Sequence, residues 1–190
     1  QEIDNYVNKN GDLIQPFAKP GDLKFIDANG DGKISPDDRV FEGSAFPKFS
    51  YGLNANLNYK GFDLDVFFQG VQGNKLFNAV KFTGLNAGQQ GYNMLKDILK
   101  AWSPSNPNSN IPRVSASDPN NNFGTTSDFY IEDGSYVRLK NITLGYTLPE
   151  GLTQKMHISS LRIYATGQNV FTSTKYTGFD PEVGMDQYGV

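Results

Sequence analysis

The sequence predicts an all-β chain: about four antiparallel strands from the wall of a large transmembrane β-barrel, with the outer loops that join them. Three observations lead there. Long stretches alternate strictly between apolar and polar residues, the mark of strands with one apolar face. Their polar positions carry Asn, Asp and Gln, where the wet face of a soluble sheet usually carries Lys, Glu and Thr. Aromatic residues sit near the ends of the apolar faces, as in the girdles of outer-membrane barrels. The 14 Phe, 10 Tyr and 20 Gly among 190 residues suit that architecture.

The first strand pair occupies 47–72. From Phe49 to Tyr59 the odd positions are Phe49, Tyr51, Leu53, Ala55, Leu57 and Tyr59, and the even ones are Ser50, Gly52, Asn54, Asn56 and Asn58. A strand of about 13 residues from Pro47, at ~3.3 Å per residue and ~40° tilt, rises roughly 33 Å, more than the ~25 Å apolar band of such barrels. Lys60-Gly61 supplies a two-residue turn. Phe62, Leu64, Val66 and Phe68 then alternate with Asp63, Asp65 and Gln69. The apolar set is expected to face lipid and the polar set the lumen, because a one-residue slip would put a run of Asn in hydrocarbon.

The segment 73–135 reads as a long outer loop. It holds a helix predicted over 89–102, where Met94, Leu95, Ile98, Leu99 and Trp102 recur at helical spacing before Pro104 and Pro107. Phe82, Tyr92 and Trp102 have the chemistry to stack on sugar rings, although anchoring the loop is the commoner use of such residues. Two more strands, joined by a short turn, fill 136–172. Ile142, Leu144, Tyr146 and Leu148 share a face, but Val137 and Leu139 are in the opposite phase, which predicts a bulge or a change of environment near Lys140-Asn141. Leu161, Ile163 and Ala165 alternate with Arg162, Tyr164, Thr166 and Gln168. The remainder, 173–190, is turn-rich and reads as another outer loop. Four strands cannot close a barrel, since about eight are needed for a small one. The chain is therefore expected to be incomplete.

The turn-rich opening, 1–46, contains the most specific motif. Read as a twelve-residue calcium loop, it places Asp27, Asn29 and Asp31 at positions one, three and five, and Gly32 at the sharp turn. Lys33 offers its carbonyl at seven, Ser35 stands at nine and Asp38 closes the loop, where Glu is usual. Oxygen donors at alternate positions of a tight turn suit a hard cation, so a structural Ca2+ is expected. An Asp/Asn/Gly-rich turn that binds nothing is the alternative.

Several classes are disfavoured. The net charge is −3 and the 17 basic residues are scattered, which argues against nucleic acid or an anionic membrane surface as partner. Cysteine is absent, so there is no disulfide framework and no thiolate chemistry. Gln1 to Tyr6 show no signal-peptide pattern, and no apolar run reaches the ~18 residues of a membrane helix. His157, the lone histidine, stands in a polar connection without a nucleophile beside it. Asp63 and Asp65 are better read as channel lining than as a hydrolytic pair, and Ile131–Ser135 ends a strand more readily than it binds a second ion. No catalytic residue is assigned, and an enzyme is not expected.

A family resemblance enters on specific motifs. Pro20 to Lys33, Pro47-Lys-Phe-Ser-Tyr-Gly52, Tyr59-Lys-Gly-Phe-Asp63 and Phe67-Phe-Gln-Gly70 resemble the C-terminal region of the SusC/RagA family of TonB-linked outer-membrane proteins. Ile131–Tyr136, Leu139–Tyr146, Ser160–Tyr164, Gly167–Phe171 and Gly178–Glu182 continue the match in order. The resemblance implies a plugged barrel of about 22 strands. It also implies import of glycans, or in some members peptides, across the Bacteroidetes outer membrane, under a SusD-like surface lipoprotein and with energy from the TonB complex. Against the family's pattern the signal, TonB box, plug, most of the strands and, after the outer loop 173–190, the final strand are expected to be missing here, so substrate-binding residues stay unassigned. The competing reading is a calcium-dependent carbohydrate-binding β-sandwich, which would be monodisperse without detergent; a glycan hydrolase stands well behind.

Overall fold

In the computed structural model, residues 2–86 and 93–182 are described. The chain divides into two compact units, one from Gln1–Glu42 with Phe77–Ile131, the other from Gly43–Leu76 with Glu132–Val190.

The second unit is an antiparallel four-stranded sheet in the order β1-β2-β5-β6. Its strands are β1 (Phe49–Tyr59), β2 (Phe62–Gln72), β5 (Tyr136–Thr147) and β6 (Arg162–Thr174). Strand β1 starts two residues later than Pro47; its 11 residues still rise about 28 Å at ~3.3 Å per residue and ~40° tilt. The β1–β2 register pairs Leu53 with Phe68, Ala55 with Val66 and Leu57 with Leu64 on one face. Asn56 lies opposite Asp65 and Asn58 opposite Asp63 on the other. Lys60 (φ 48°) and Gly61 (φ 87°) form the turn, both left-handed as a type I′ hairpin requires. Glycine is needed there for a second reason: a Cβ on Gly61 would lie 2.8 Å from the Thr147 carbonyl oxygen.

The phase change in the third long strand is a bulge. Phe67 pairs with Asn141 and Phe68 with Leu139, so Lys140 is the extra residue. The irregularity keeps Val137 and Leu139 on the face of Phe68 and puts Arg138 beside Gln69. Strand β6 is irregular at the same level, between its pairings of Gln168 with Asn141 and Phe171 with Leu139, and Asn169 there has φ 49°. Between β5 and β6 runs a connection with the one-turn helix α2 (Glu150–Thr153) and a 3-10 turn that ends at His157, φ 56°. Short strands β3 (Lys75–Phe77) and β4 (Ile131–Asp133) pair with each other.

The first unit has little regular structure, and its helical content differs from expectation. Of the helix expected over 89–102, residues 89–92 lie outside the described residues, and the rest is only a 3-10 segment, Lys96–Lys100. Leu95 is extended (ψ 142°) because its N–H donates to the Gly84 carbonyl at 2.8 Å, while Trp102 N–H donates to Ile111 O at 2.8 Å. These longer-range bonds override the apolar spacing. Among the described residues of this unit the α-helix is instead α1 (Ala79–Leu85), capped by the Asn78 side chain, which accepts from Lys81 N. Leu85, Phe123 and Tyr130 are buried, and Phe77, Phe82 and Phe129 pack around Tyr130 with centroids 4.9–5.8 Å away.

Polar side chains hold the rest of this unit. The Asp22 carboxylate, wholly buried, accepts from Arg113 Nε and Nη2 at 3.1 and 2.9 Å, Asn122 Nδ2 at 2.9 Å and Lys19 N at 2.8 Å. Gln15 donates to Leu23 O and Asn120 Oδ1 and accepts from Phe25 N. Asn122 Oδ1 accepts from Leu23 N, and Asp118 caps Asn122 N and Phe123 N. Buried polar groups are tolerable only when so satisfied.

Candidate functional site

Two features carry the functional argument: the two-faced sheet and the Asp-rich loop. On the sheet, the backbone ladder holds each strand in register, and period two then sorts the side chains. Leu53, Leu57, Phe62, Leu144, Ile163 and Phe171 lie on the apolar side and are all more than half exposed. Phe62 and Tyr146 stack near the hairpin end, centroids 4.4 Å apart, and Phe49 with Tyr51 near the other, at 6.0 Å. Aromatic pairs thus mark both ends of the apolar band.

The opposite face is polar and bonded across strands. Arg162 on β6 reaches over β5 to Asp63 on β2, with Nε and Nη2 at 3.0 and 2.6 Å from its two oxygens. Gly145 makes this possible, because a Cβ there would lie 2.5 Å from Asp63 and 2.6 Å from Arg162. Asn56, with its amide nitrogen toward Asp65, donates at 3.1 and 3.2 Å. Thr143 and Thr166 share a hydroxyl–hydroxyl bond. Toward the loop end, Arg138 is 5 % exposed and donates to Thr172 at 2.8 Å, Asp180 at 2.6 Å and Glu182 at 2.5 Å. Lys140 joins Glu182 at 2.8 Å. This cluster ties the segment after β6 to the polar face. Sequence reasoning missed it; the only hint was a cation on the polar phase just before the bulge.

The Asp-rich loop folds as a chain of side-chain-to-backbone bonds. Asp27 Oδ1 accepts from Gly30 N and Asp31 N at 2.8 and 3.1 Å, and its Oδ2 from Gly32 N at 2.9 Å. Asn29 Oδ1 accepts from Asp31 N, and Asp31 Oδ1 from Lys33 N. Asp38 closes the loop through Ala28 N and Asn29 N on one oxygen and Ser35 N on the other. Ser35 caps the 3-10 turn Pro36–Asp38 in a reciprocal capping box. The Ser35 N–H bond foremost holds the Asp38 carboxyl below the ordinary aspartate pKa, against desolvation and with help from the Asn29 and Ala28 amides. Gly30 and Gly32 have φ 74° and 84°. The structure thus brings Asp27, Asn29, Asp31, Lys33, Ser35 and Asp38 into one tight turn. It does not gather the carboxylates: among the described residues, no group of three or more His, Asp or Glu is placed to hold a metal ion.

Other singled-out residues have structural surroundings. His157 is an exposed helix cap. Trp102 covers Gly21 and Phe82 packs on Tyr130, so both anchor the loop unit; Tyr92 lies outside the described residues. Among the described residues no helix is long and apolar enough to cross a membrane.

No protein-family model matches the chain. Curated relatives do. TonB-dependent receptor P3 of Formosa agariphila is 40% identical over 165 residues, 87% of this chain and 16% of that receptor. TonB-dependent receptor SusC of Bacteroides thetaiotaomicron is 29% identical over 172 residues, 89% of this chain and 16% of SusC. Among solved structures, the RagAB peptide transporter superposes with a TM-score of 0.65 at 29% identity, over 80% of this chain and 17% of that one. The RagAB peptide importer in its closed-closed state gives 0.67 at 30% identity, over 84% and 18%. The chain spans about 16% of the length of the curated relatives it matches.

Proposed function

Since the chain is homologous to a segment of the SusC/RagA TonB-dependent receptors, we propose that in its full-length parent it builds part of the wall and outer rim of an outer-membrane importer. The importer takes up oligosaccharides or oligopeptides, works under a SusD-like surface lipoprotein and is energised by the TonB complex through parts of the parent outside this chain. The observation that carries this reading is the sheet whose apolar face is left open while its other face is lined with bonded Asp, Asn, Arg and Thr. In water such a face is a liability; in a bilayer it is what a barrel wall presents, with every strand bond made internally. A sandwich module would need a second sheet over that face, and the described residues supply beyond it only the two-stranded pair β3–β4.

Peptide import by the RagAB relatives supports an oligopeptide among the cargo classes. Size supports the energetic part: a nutrient too large for passive pores needs a wide barrel, a wide barrel needs a plug, and moving a plug needs an external energy source. The long 73–135 segment supplies material on which a lid lipoprotein docks. Deletion of the parent gene is the test. Growth on one complex nutrient should be lost while growth on its monomer persists, and the protein should fractionate with outer membrane. Unchanged growth on every complex nutrient, with recovery in soluble periplasm, would sink the importer and favour a soluble calcium-dependent binding module.

The same reading gives the Asp27–Asp38 loop a structural Ca2+. Its support is donor chemistry: Asp27 Oδ2, Asp31 Oδ1 and Asp38 Oδ2 each accept one N–H and keep lone-pair capacity, and the turn residues are in place. Asp27, Asn29, Asp31 and Asp38 side chains, the Lys33 carbonyl and Ser35 at the ninth position would hold the ion. The ion would pin the loop and take no part in transport chemistry. Calorimetry on the parent should show calcium binding that Asp31→Ala abolishes; silence at millimolar calcium rules the ion out.

A further inference from the structure

Strand β6 ends at Thr174, and the chain then folds back onto the polar face of its own sheet. The return is pinned at two places. The Thr177 N–H and hydroxyl donate to the Glu132 carboxylate at 2.8 and 2.9 Å. Further on, Arg138 donates through its two terminal nitrogens to Asp180 and Glu182, and Lys140 donates to Glu182 as well. The Glu182 N–H donates to Asp180 Oδ1 at 2.8 Å, which keeps the two carboxylates side by side. Both pins are polar. Phe179, between them, is 87 % exposed and adds no apolar grip, although Pro181 is buried. Beneath the return lie Arg138 and Tyr136, both buried, on a sheet whose outer strands β1 and β6 are exposed over most of their length.

We propose that residues 175–182 form a strap whose own two carboxylates occupy an anion site built by Arg138 and Lys140, and that a doubly charged oxyanion such as phosphate displaces the strap and takes its place. Charge gives the stoichiometry. Asp180 and Glu182 balance the guanidinium and the ammonium, so lifting the strap leaves two positive charges, which one dianion restores to balance. Geometry gives the ligand type. Thr172 Oγ1 accepts from Arg138 Nε at 2.8 Å and fixes the guanidinium plane, leaving Nη1 and Nη2 as the fork that oxyanions fit. The bulge adds Lys140 to β5 and so brings the second cation to the same acceptor, the re-aiming that bulges commonly perform. Lifting strands no polar group. The Asp180 and Glu182 side chains are already 40 % and 32 % exposed, and Arg138 and the Tyr136 hydroxyl would exchange burial for water. The hinge is Thr174, the last residue of the ladder, opposite Tyr136.

The site lies on the polar face, opposite the apolar side, so its anion comes from solution and not from a lipid headgroup. It stands on the sheet and the strap alone, whatever the parent transports. The full-length parent, purified in detergent, is spin-labelled at Phe179→Cys on the strap and Leu53→Cys on the apolar face, two exposed positions, on a background free of other cysteines. Pulsed dipolar EPR then reads the position of the strap. One narrow distance is expected at low salt. Millimolar phosphate should add a longer-distance population, at least five times that produced by sodium chloride at equal ionic strength. Glu182→Gln, a change on the strap itself, should lower the phosphate concentration for half-opening at least threefold. Arg138→Gln should show the longer distance without phosphate and no response to it; should that buried change unfold the wall, the Glu182 variant still decides. A distance indifferent to phosphate, equal opening by chloride, or half-opening of Glu182→Gln at the wild-type concentration would overturn the proposal.

Discussion

The sheet and the loop unit are held together in opposite ways. In the sheet the backbone supplies the cohesion: register fixes β1 to β2 to β5 to β6 residue by residue, while β1 is exposed along its whole length. In the loop unit the backbone is irregular, and cohesion comes from side chains that replace a ladder, chiefly Asp22, Gln15, Asn120, Asn122 and Asp118. The difference teaches where single substitutions hurt. A ladder tolerates the loss of most side chains if the faces are kept, whereas a side-chain network fails at its best-connected member.

The largest effect is therefore expected at Asp22. Asp22→Ala leaves the part-buried Arg113 and the buried Asn122 without their acceptor, a loss of about 3–5 kcal/mol for a broken buried pair. Hydrogen exchange on the parent should show lost protection over the described parts of 2–42 and 93–131 and retained protection over 49–72. Equal loss in both regions would break the contrast between them.

Next comes the choice of face. Leu57→Lys puts a charge on the apolar side and should cost about 2–4 kcal/mol if that side meets mid-bilayer, read as a lower urea midpoint in lipid. Asn56→Lys, one residue away on the polar side, should shift it little. The reverse order would invert the lipid and lumen assignments.

Smaller again is Gly145→Val. Its side chain would intrude between Asp63 and Arg162, and overpacking of this kind costs about 1–3 kcal/mol. The partly exposed ion pair itself contributes little, so Asp63→Asn should be milder than the glycine change. If Asp63→Asn proves the worse of the two, the ion pair and not the space over Gly145 governs this part of the wall.

The same contrast explains what the sequence disclosed. Period two made β1, β2 and the core of β5 and β6 legible, and the phase slip between Leu139 and Ile142 pointed to an irregularity where the structure has the bulge at Lys140. Such signals are local. The helix expected over 89–102 went wrong where long-range bonds from Leu95 and Trp102 outweighed apolar spacing. Arg138 clasping Asp180 and Glu182, and Asn122 bridging to Asp22, join residues far apart in sequence that no periodicity links. The Asp-rich loop is intermediate. Its turn was readable from Asp27, Gly30 and Gly32, but spacing alone does not say whether carboxylates turn toward a cation or toward the loop's own amides.

The subtlest expected effect separates those two uses. Asp38 accepts from Ala28, Asn29 and Ser35 amides, and the Ser35 bond foremost lowers its pKa in the folded loop. A depressed folded pKa means the unfolded loop binds the proton more readily, so Asp38 adds loop stability above the ordinary aspartate value of about 3.9. That contribution falls away as pH drops below this value and through the folded pKa. Carboxyl-carbon NMR of Asp38 in calcium-free protein should give a midpoint under the ordinary value, with the Ala28 and Ser35 amide shifts moving in step. Added calcium should push the midpoint lower still if the ion binds, because a divalent cation favours the ionised form. A midpoint at or above the ordinary value would mean that the loop's amides do not hold this carboxylate. Its closure would then rest on the left-handed turn at Gly30 and Gly32, and the loop unit would lose one of the side-chain ties that set it apart from the sheet.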